Sequence, residues 1–204
     1  MDHLQSPPVA PPTWSICVTA ALALAVAMGI GRFAFTPLLP LMRHDGLVND
    51  DGGAWLAAAN YLGYLLGALT AARLPGGPRT QVLGSLLAVA ALTAGTAALP
   101  GLSGWMAVRL AAGVASAWTL VSASSWAVSA LAMRQRSDAA GWAFAGVGLG
   151  IACAGAWVWW RTARGAPALW VELGGLAVAG TTLVALGWPP AALAPPPPPP
   201  WSLA

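Results

Sequence analysis

Six stretches of about twenty mostly apolar residues, divided by short breaks rich in proline, glycine and arginine, limit what this chain can fold into. They run from about Trp14 to Thr36, Ala54 to Ala72, Thr80 to Leu99, Gly104 to Met133, Ala139 to Trp160 and Ala168 to Trp188. The breaks are Pro37 and Pro40, Leu74 to Pro78, Pro100-Gly101, Arg134 to Asp138, and Arg164 to Pro167. A helix rising ~1.5 Å per residue needs about twenty residues to cross a hydrocarbon layer about 30 Å thick. The expectation is an all-α, polytopic membrane protein with six transmembrane helices. Residues 14–188 form the bundle, between a Pro-rich tail at 1–13 and another at 189–204, where Pro195 to Pro200 favour an extended polyproline helix.

Composition agrees. Charged residues make up 7% of the 204 residues and hydrophobic ones 58%, against about 25% charged in ordinary soluble domains. That excludes a soluble enzyme and a disordered chain. The net charge of +3 comes from nine arginines, no lysine and six acids. The arginines are scattered, so there is no stripe to track a phosphate backbone and no nucleic-acid partner is expected. Cys17 and Cys153 lie in apolar runs and suggest neither a disulfide nor a zinc site. No His cluster, paired carboxylates or Ser/His/Asp set appears, so neither enzyme, cofactor nor metal is expected. The first segment is too long for a signal-peptide core and follows Asp2 and four prolines rather than a basic region; it reads as a retained helix.

Arg73, Arg79, Arg134 and Arg136 fall on one side of such a bundle, and Arg43, Arg161 and Arg164 on the other. The positive-inside tendency places both termini in the cytoplasm, with the protein in the inner (cell) membrane. Tryptophans 14, 55, 105, 160, 170 and 188 lie near helix ends, at the depth of the headgroups.

Three ionisable residues fall within spans: Arg32, Arg109 and Glu172. Such groups are costly in lipid and usually face a bundle interior or a wet cavity. Arg32 lies roughly 27 Å along the first helix and Arg109 about 7–8 Å below the outer surface, which brings both to similar depth. Asn60, Tyr61 and Tyr64 share it. One reading is a polar cavity in the outer half lined by Arg32, Asn60, Tyr64 and Arg109, with Glu172 entering from the sixth helix. The other is that the arginines snorkel to headgroups or pair with Glu172 or backbone carbonyls as structural glue. Gly113, one turn beyond Arg109, would leave an opening beside the guanidinium.

Gly63 and Gly67, and Gly146 and Gly150, have the small-xxx-small spacing that lets helix backbones approach closely. Gly146-Val-Gly148-Leu-Gly150 is not a dinucleotide fingerprint, because Cys153 stands where a third glycine is required.

The run from Gly29 through Arg32-Phe33-Ala34-Phe35-Thr36-Pro37 to Met42, and the run from Ala57 through Asn60-Tyr61-Leu62-Gly63-Tyr64 to Ala68, resemble the first two helices of YbfB/YjiJ-type transporters of the major facilitator superfamily. Arg109-Leu-Ala-Ala112-Gly113 resembles the superfamily's Arg-x-x-Gln-Gly pattern, with Ala112 in place of glutamine. The resemblance spans about residues 14–188. It implies one half of a major facilitator fold, a three-plus-three inverted repeat, and secondary-active transport of a small solute with protons as a candidate coupling ion. Arg32 and Arg109 would attract an anionic or polar solute, and Glu172 would be a candidate protonation partner. Ala71 and Ala72 stand where the superfamily's loop between helices two and three carries Asp and Arg. The family's transporters have twelve helices, so a second six-helix half or a second copy of this chain is implied as partner. The alternatives are a non-transporting membrane interaction protein and the fragment of a broken transporter gene.

Overall fold

The computed structural model describes residues 12–99 and 101–189; most of both Pro-rich tails, including the polyproline run, lies outside the described residues. The described residues form six long helices joined by short turns, with no strand among them. They are α1 (Thr13–His44), α2 (Asp50–Thr70), α3 (Pro78–Gly95), α4 (Gly101–Ala132), α5 (Ala140–Trp160) and α6 (Ala166–Gly187). Five are long and apolar enough to cross a membrane. The exception is α2, which has the length but carries two aspartates, Asn60, Tyr61 and Tyr64. This is an all-α membrane protein whose architecture is consistent with half of a major facilitator fold.

Pro37 and Pro40 do not end the first helix, contrary to the sequence expectation. It is α-helical over Thr13–Leu24, widens to a π-helix over Ala25–Phe33, and resumes as α-helix over Phe35–His44. The junction at Ala34 makes Pro37 a first-turn residue of the new α segment, where a missing N–H costs little. The helix ends at Gly46 (φ 69°), with Gly46 N–H donating to Arg43 and Leu47 N–H to Met42. That is the Schellman pattern, which needs a left-handed residue there. Asn49 then caps α2 by accepting from Gly52 N–H at 2.9 Å, and Asp50 and Asp51 occupy the positive end of its dipole.

The packing follows an exchange of the two three-helix repeats. Helix α2 lies along α4 and α5 along α1; α3 meets α4 and α6 meets α1; α1 pairs with α4 and α3 with α6. Swapping α1–α3 with α4–α6 leaves this set of neighbours unchanged. Glycines make the two closest seams. A methyl at Gly63 or Gly67 would strike the backbone of Leu110 or Val114 on α4, and one at Gly113 would strike Asn60 on α2. At the related seam, Gly146 and Gly150 lie against the backbone of Ala21 and Ala25, and Gly29 against Gly150. Bare backbone contact of this kind supplies the dispersion attraction that holds helices together where lipid removes a hydrophobic driving force.

Large apolar side chains on the outside, such as Leu65, Leu69, Leu149 and Leu186, are exposed as a lipid-facing surface requires. The bundle's two ends differ. One gathers Arg73, Arg79, Arg134 and Arg136, the last paired with Asp138; the other gathers Arg43, the three aspartates at 45, 50 and 51, Arg161, Arg164 and Glu172. Thr19 near the start of α1 donates to Gly187 at the end of α6 at 2.8 Å, so the described chain begins and finishes at the basic end.

Candidate functional site: a double-arginine cluster

Arg109 projects from α4 about 12 Å beyond Gly101 and is 3% exposed. Its Nη1 donates to the carbonyl of Gly31 at 3.3 Å and its Nη2 to that of Arg32 at 3.1 Å. In π-helical register the Arg32 carbonyl would accept from residue 37, and Pro37 has no N–H to give. The guanidinium supplies the donor that the proline withholds. Its carbon lies 4.9 Å from the Phe35 ring centre and 5.9 Å from that of Trp170. Among the described residues no carboxylate pairs with it. This buried cation is held by backbone dipoles and aromatic faces, both of which favour its charge.

Asn60 on α2 is buried and donates from Nδ2 to the backbone carbonyl of Arg109 at 2.9 Å. Sequence reading expected an opening beside Gly113, but the backbone of Asn60 and Tyr64 fills it. Arg32 itself is half-buried. Its guanidinium carbon stands 4.0 Å from the Tyr64 ring centre, 5.0 Å from that of Tyr61 and 5.1 Å from that of Phe33. Its Nε is buried without a hydrogen-bond partner among the described residues, as are Arg109 Nε, Ser116 Oγ and Trp170 Nε1. These unsatisfied donors and hydroxyl mark a polar centre with capacity to spare.

Four of the five predicted residues thus converge: Arg32, Asn60, Tyr64 and Arg109. The fifth does not. Glu172 accepts from Arg161 at 2.7 Å, from Arg164 at 3.1 Å and from Trp157 Nε1 at 3.1 Å, and so ties α6 to the end of α5. The α6 residue that does reach Arg109 is Trp170, visible in the sequence only as a headgroup-level aromatic.

Two further elements were not anticipated. Asp45, past the end of α1, accepts from Ala166 N–H at 2.9 Å and caps α6 across the bundle. That bond, and His44 beside it, hold the Asp45 carboxyl below its usual range. At the basic end, a cavity of about 1200 Å³ opens between α3, α4 and α6.

The fold and this cluster define a multi-helix membrane protein with a polar centre buried between its two repeats. The chain belongs to the family whose model is described as "Uncharacterised MFS-type transporter YbfB", which matches residues 24–201. Transport is therefore its general activity, as a multi-pass membrane protein. No curated protein sequence matches the chain.

Proposed function

We propose that the chain forms one six-helix half of a secondary-active transporter for a small anionic or polar solute, and that a second six-helix unit completes the path. The family match supports transport. The observation that carries the finer reading is the placement of Arg32, a half-buried cation beside Tyr64 and the exposed ring of Tyr61. Solute charge would be met there, with Arg109 and Asn60 as the rigid backing that fixes α1 against α4 and α2. Substrate in such folds binds at the interface between halves, which rock to expose it alternately. A second copy of the chain or a separate six-helix half could supply the missing wall, and protons remain the candidate coupling ion. The expected location is the inner membrane with both chain termini in the cytoplasm.

The test is flux in proteoliposomes carrying a trapped pH dye, challenged with a panel of monocarboxylates, dicarboxylates and sugar acids. At protein densities where cross-linking finds only single copies, no solute-dependent proton movement is expected. Movement should emerge as dimers form or when a complementary six-helix half is co-reconstituted. Robust flux by a verified single copy would overturn this reading. Absence of flux under every arrangement would favour a non-transporting interaction protein.

A further inference from the structure

We propose that the cavity at the basic end is a binding site for an amphiphilic phosphate ester. It is distinct from the double-arginine cluster and independent of the transport reading, because it can be tested by binding alone. The cavity has a volume of about 1200 Å³, and its lining includes Arg79, Gln81, Ser122, Ser125, Trp126 and Arg134.

Its chemistry is one-sided. Two arginines border it, and no carboxylate is among the described residues lining it. Arg79 sits in the first turn of α3, where free N–H groups and the helix dipole add to the positive potential. One of its donors is committed to the Ala185 carbonyl at 3.3 Å, which holds the side chain against the last turn of α6. Arginine's planar fork suits phosphate oxygens in paired hydrogen bonds. Ser122 and Ser125 are one turn apart on α4, and Ser129 follows one turn further on the same face, so three hydroxyls look into the space. Gln81 fixes the rim by donating to Leu74 at 2.9 Å and Gly76 at 3.1 Å, which holds the α2–α3 turn open beside the mouth.

The rest of the lining is apolar. Trp126 and Trp188 stack with ring centres 4.2 Å apart and form a wall. Met133 and Leu186, 68% and 79% exposed, flank the entrance on the outer surface of the bundle. A small inorganic anion would leave that wall unused, and the space exceeds the ~300–1,000 Å³ usual for a small-molecule pocket. A phosphate joined to a hydrocarbon or glycerol body uses both halves. Two sources fit: the headgroup of an acidic phospholipid, and a soluble phosphate ester.

The experiment uses the full chain in maltoside micelles, titrated with phosphatidylglycerol, phosphatidylcholine or glycerol 3-phosphate. Binding is read by native mass spectrometry and by the thermal unfolding midpoint. Retention of one phosphatidylglycerol, with a raised midpoint and no such effect from phosphatidylcholine, assigns the site to a lipid headgroup. Saturable binding of glycerol 3-phosphate that competes with it assigns the site to soluble esters. Arg79→Gln combined with Arg134→Gln should weaken the apparent affinity at least tenfold, whereas Arg43→Gln at the other end should leave it unchanged. Ser125→Trp, which fills the cavity while keeping both arginines, should abolish binding and decides the matter should the double variant not fold. Failure of the parent chain to bind either phosphate compound, or undiminished binding by Ser125→Trp, overturns the proposal.

Discussion

Nη2 of Arg109 donates to the backbone carbonyl of Arg32 at 3.1 Å, so the two arginines expected to line one cavity are joined directly, the side chain of one to the main chain of the other. Their roles differ accordingly. Arg109 holds helices together, and Arg32 keeps its own charged group near the surface of the bundle.

Replacing Arg109 should therefore do more damage than replacing Arg32. Lysine keeps a charge but cannot span two carbonyls with a planar fork. Losing one charged hydrogen bond costs about 1.5–3 kcal/mol. Arg109→Lys should lower the thermal midpoint of the purified chain by several degrees and reduce transport in a completed assembly, while Arg32→Lys, which still presents a cation to Tyr64, should be milder on both counts. Uptake rates normalised to membrane protein level, alongside tryptophan-monitored melting, provide the comparison. Parent-like behaviour of Arg109→Lys together with failure of Arg32→Lys would reverse the assignment.

The two glycine seams should be intolerant of a single methyl. Gly63→Ala and Gly146→Ala would each push a side chain into a neighbouring main chain, an overpacking worth about 1–3 kcal/mol or more. Gly84→Ala and Gly148→Ala meet nothing within 4 Å and should be neutral or stabilising by up to ~1 kcal/mol, the helix-propensity difference. Melting curves of all four variants in one detergent would show the split.

Asp45 supplies a pH dependence of known sign. Its carboxyl is held below the ordinary aspartate range because the charged form accepts from Ala166 N–H and lies beside His44. A depressed carboxyl stabilises the fold above its unfolded pKa, and that contribution fades as pH falls through the folded value. The thermal midpoint should therefore decline on acidification below about pH 4, and Asp45→Asn should flatten this limb. An unchanged acid limb in Asp45→Asn would remove the cap from the account.

Glu172→Gln should act on local order. It releases Arg161 and Arg164, a solvent-screened pairing that adds little to global stability. Amide hydrogen exchange across residues 161–166 should quicken while the seams stay protected. Slower exchange there would contradict the ion cluster's role.

Reporter fusions after residues 48, 102 and 165 should all report the outside of the cell. A cytoplasmic signal at 48 would invert the proposed orientation.

Much of this was legible in the sequence, for identifiable reasons. Long apolar runs gave five of the six helices to within about four residues, since lipid forces each span to satisfy its own backbone; the first continues eight residues past its expected end at Thr36. Small-residue spacing gave the seams, and charge inside apolar runs drew attention to Arg32 and Arg109. The sequence misled at Pro37, where a helix break was expected: nothing local reveals that a π-helical stretch will reposition the proline in a first turn, or that a side chain 77 positions away will supply the lost donor. Glu172 was misplaced for a related reason. Depth along a helix was readable but rotation about it was not, so the loop arginines 161 and 164 could not be seen as nearer partners than Arg109. The basic-end cavity combines residues from the ends of five helices, which no single stretch of sequence juxtaposes.

The exchanged seams also govern the order in which the protein can assemble. Gly146 packs against the backbone of Ala21, and at about 5–20 residues per second roughly 10 s separate their synthesis. Throughout that interval α1, carrying a widened backbone, two prolines and two arginines, must wait in the insertion machinery or the bilayer without its mate. α2 waits less, since Leu110 follows Gly63 sooner. The first three helices are thus no finished unit on their own: α1 finds its full set of neighbours only once α5 and α6 are made, and α3 only once α4 and α6 are.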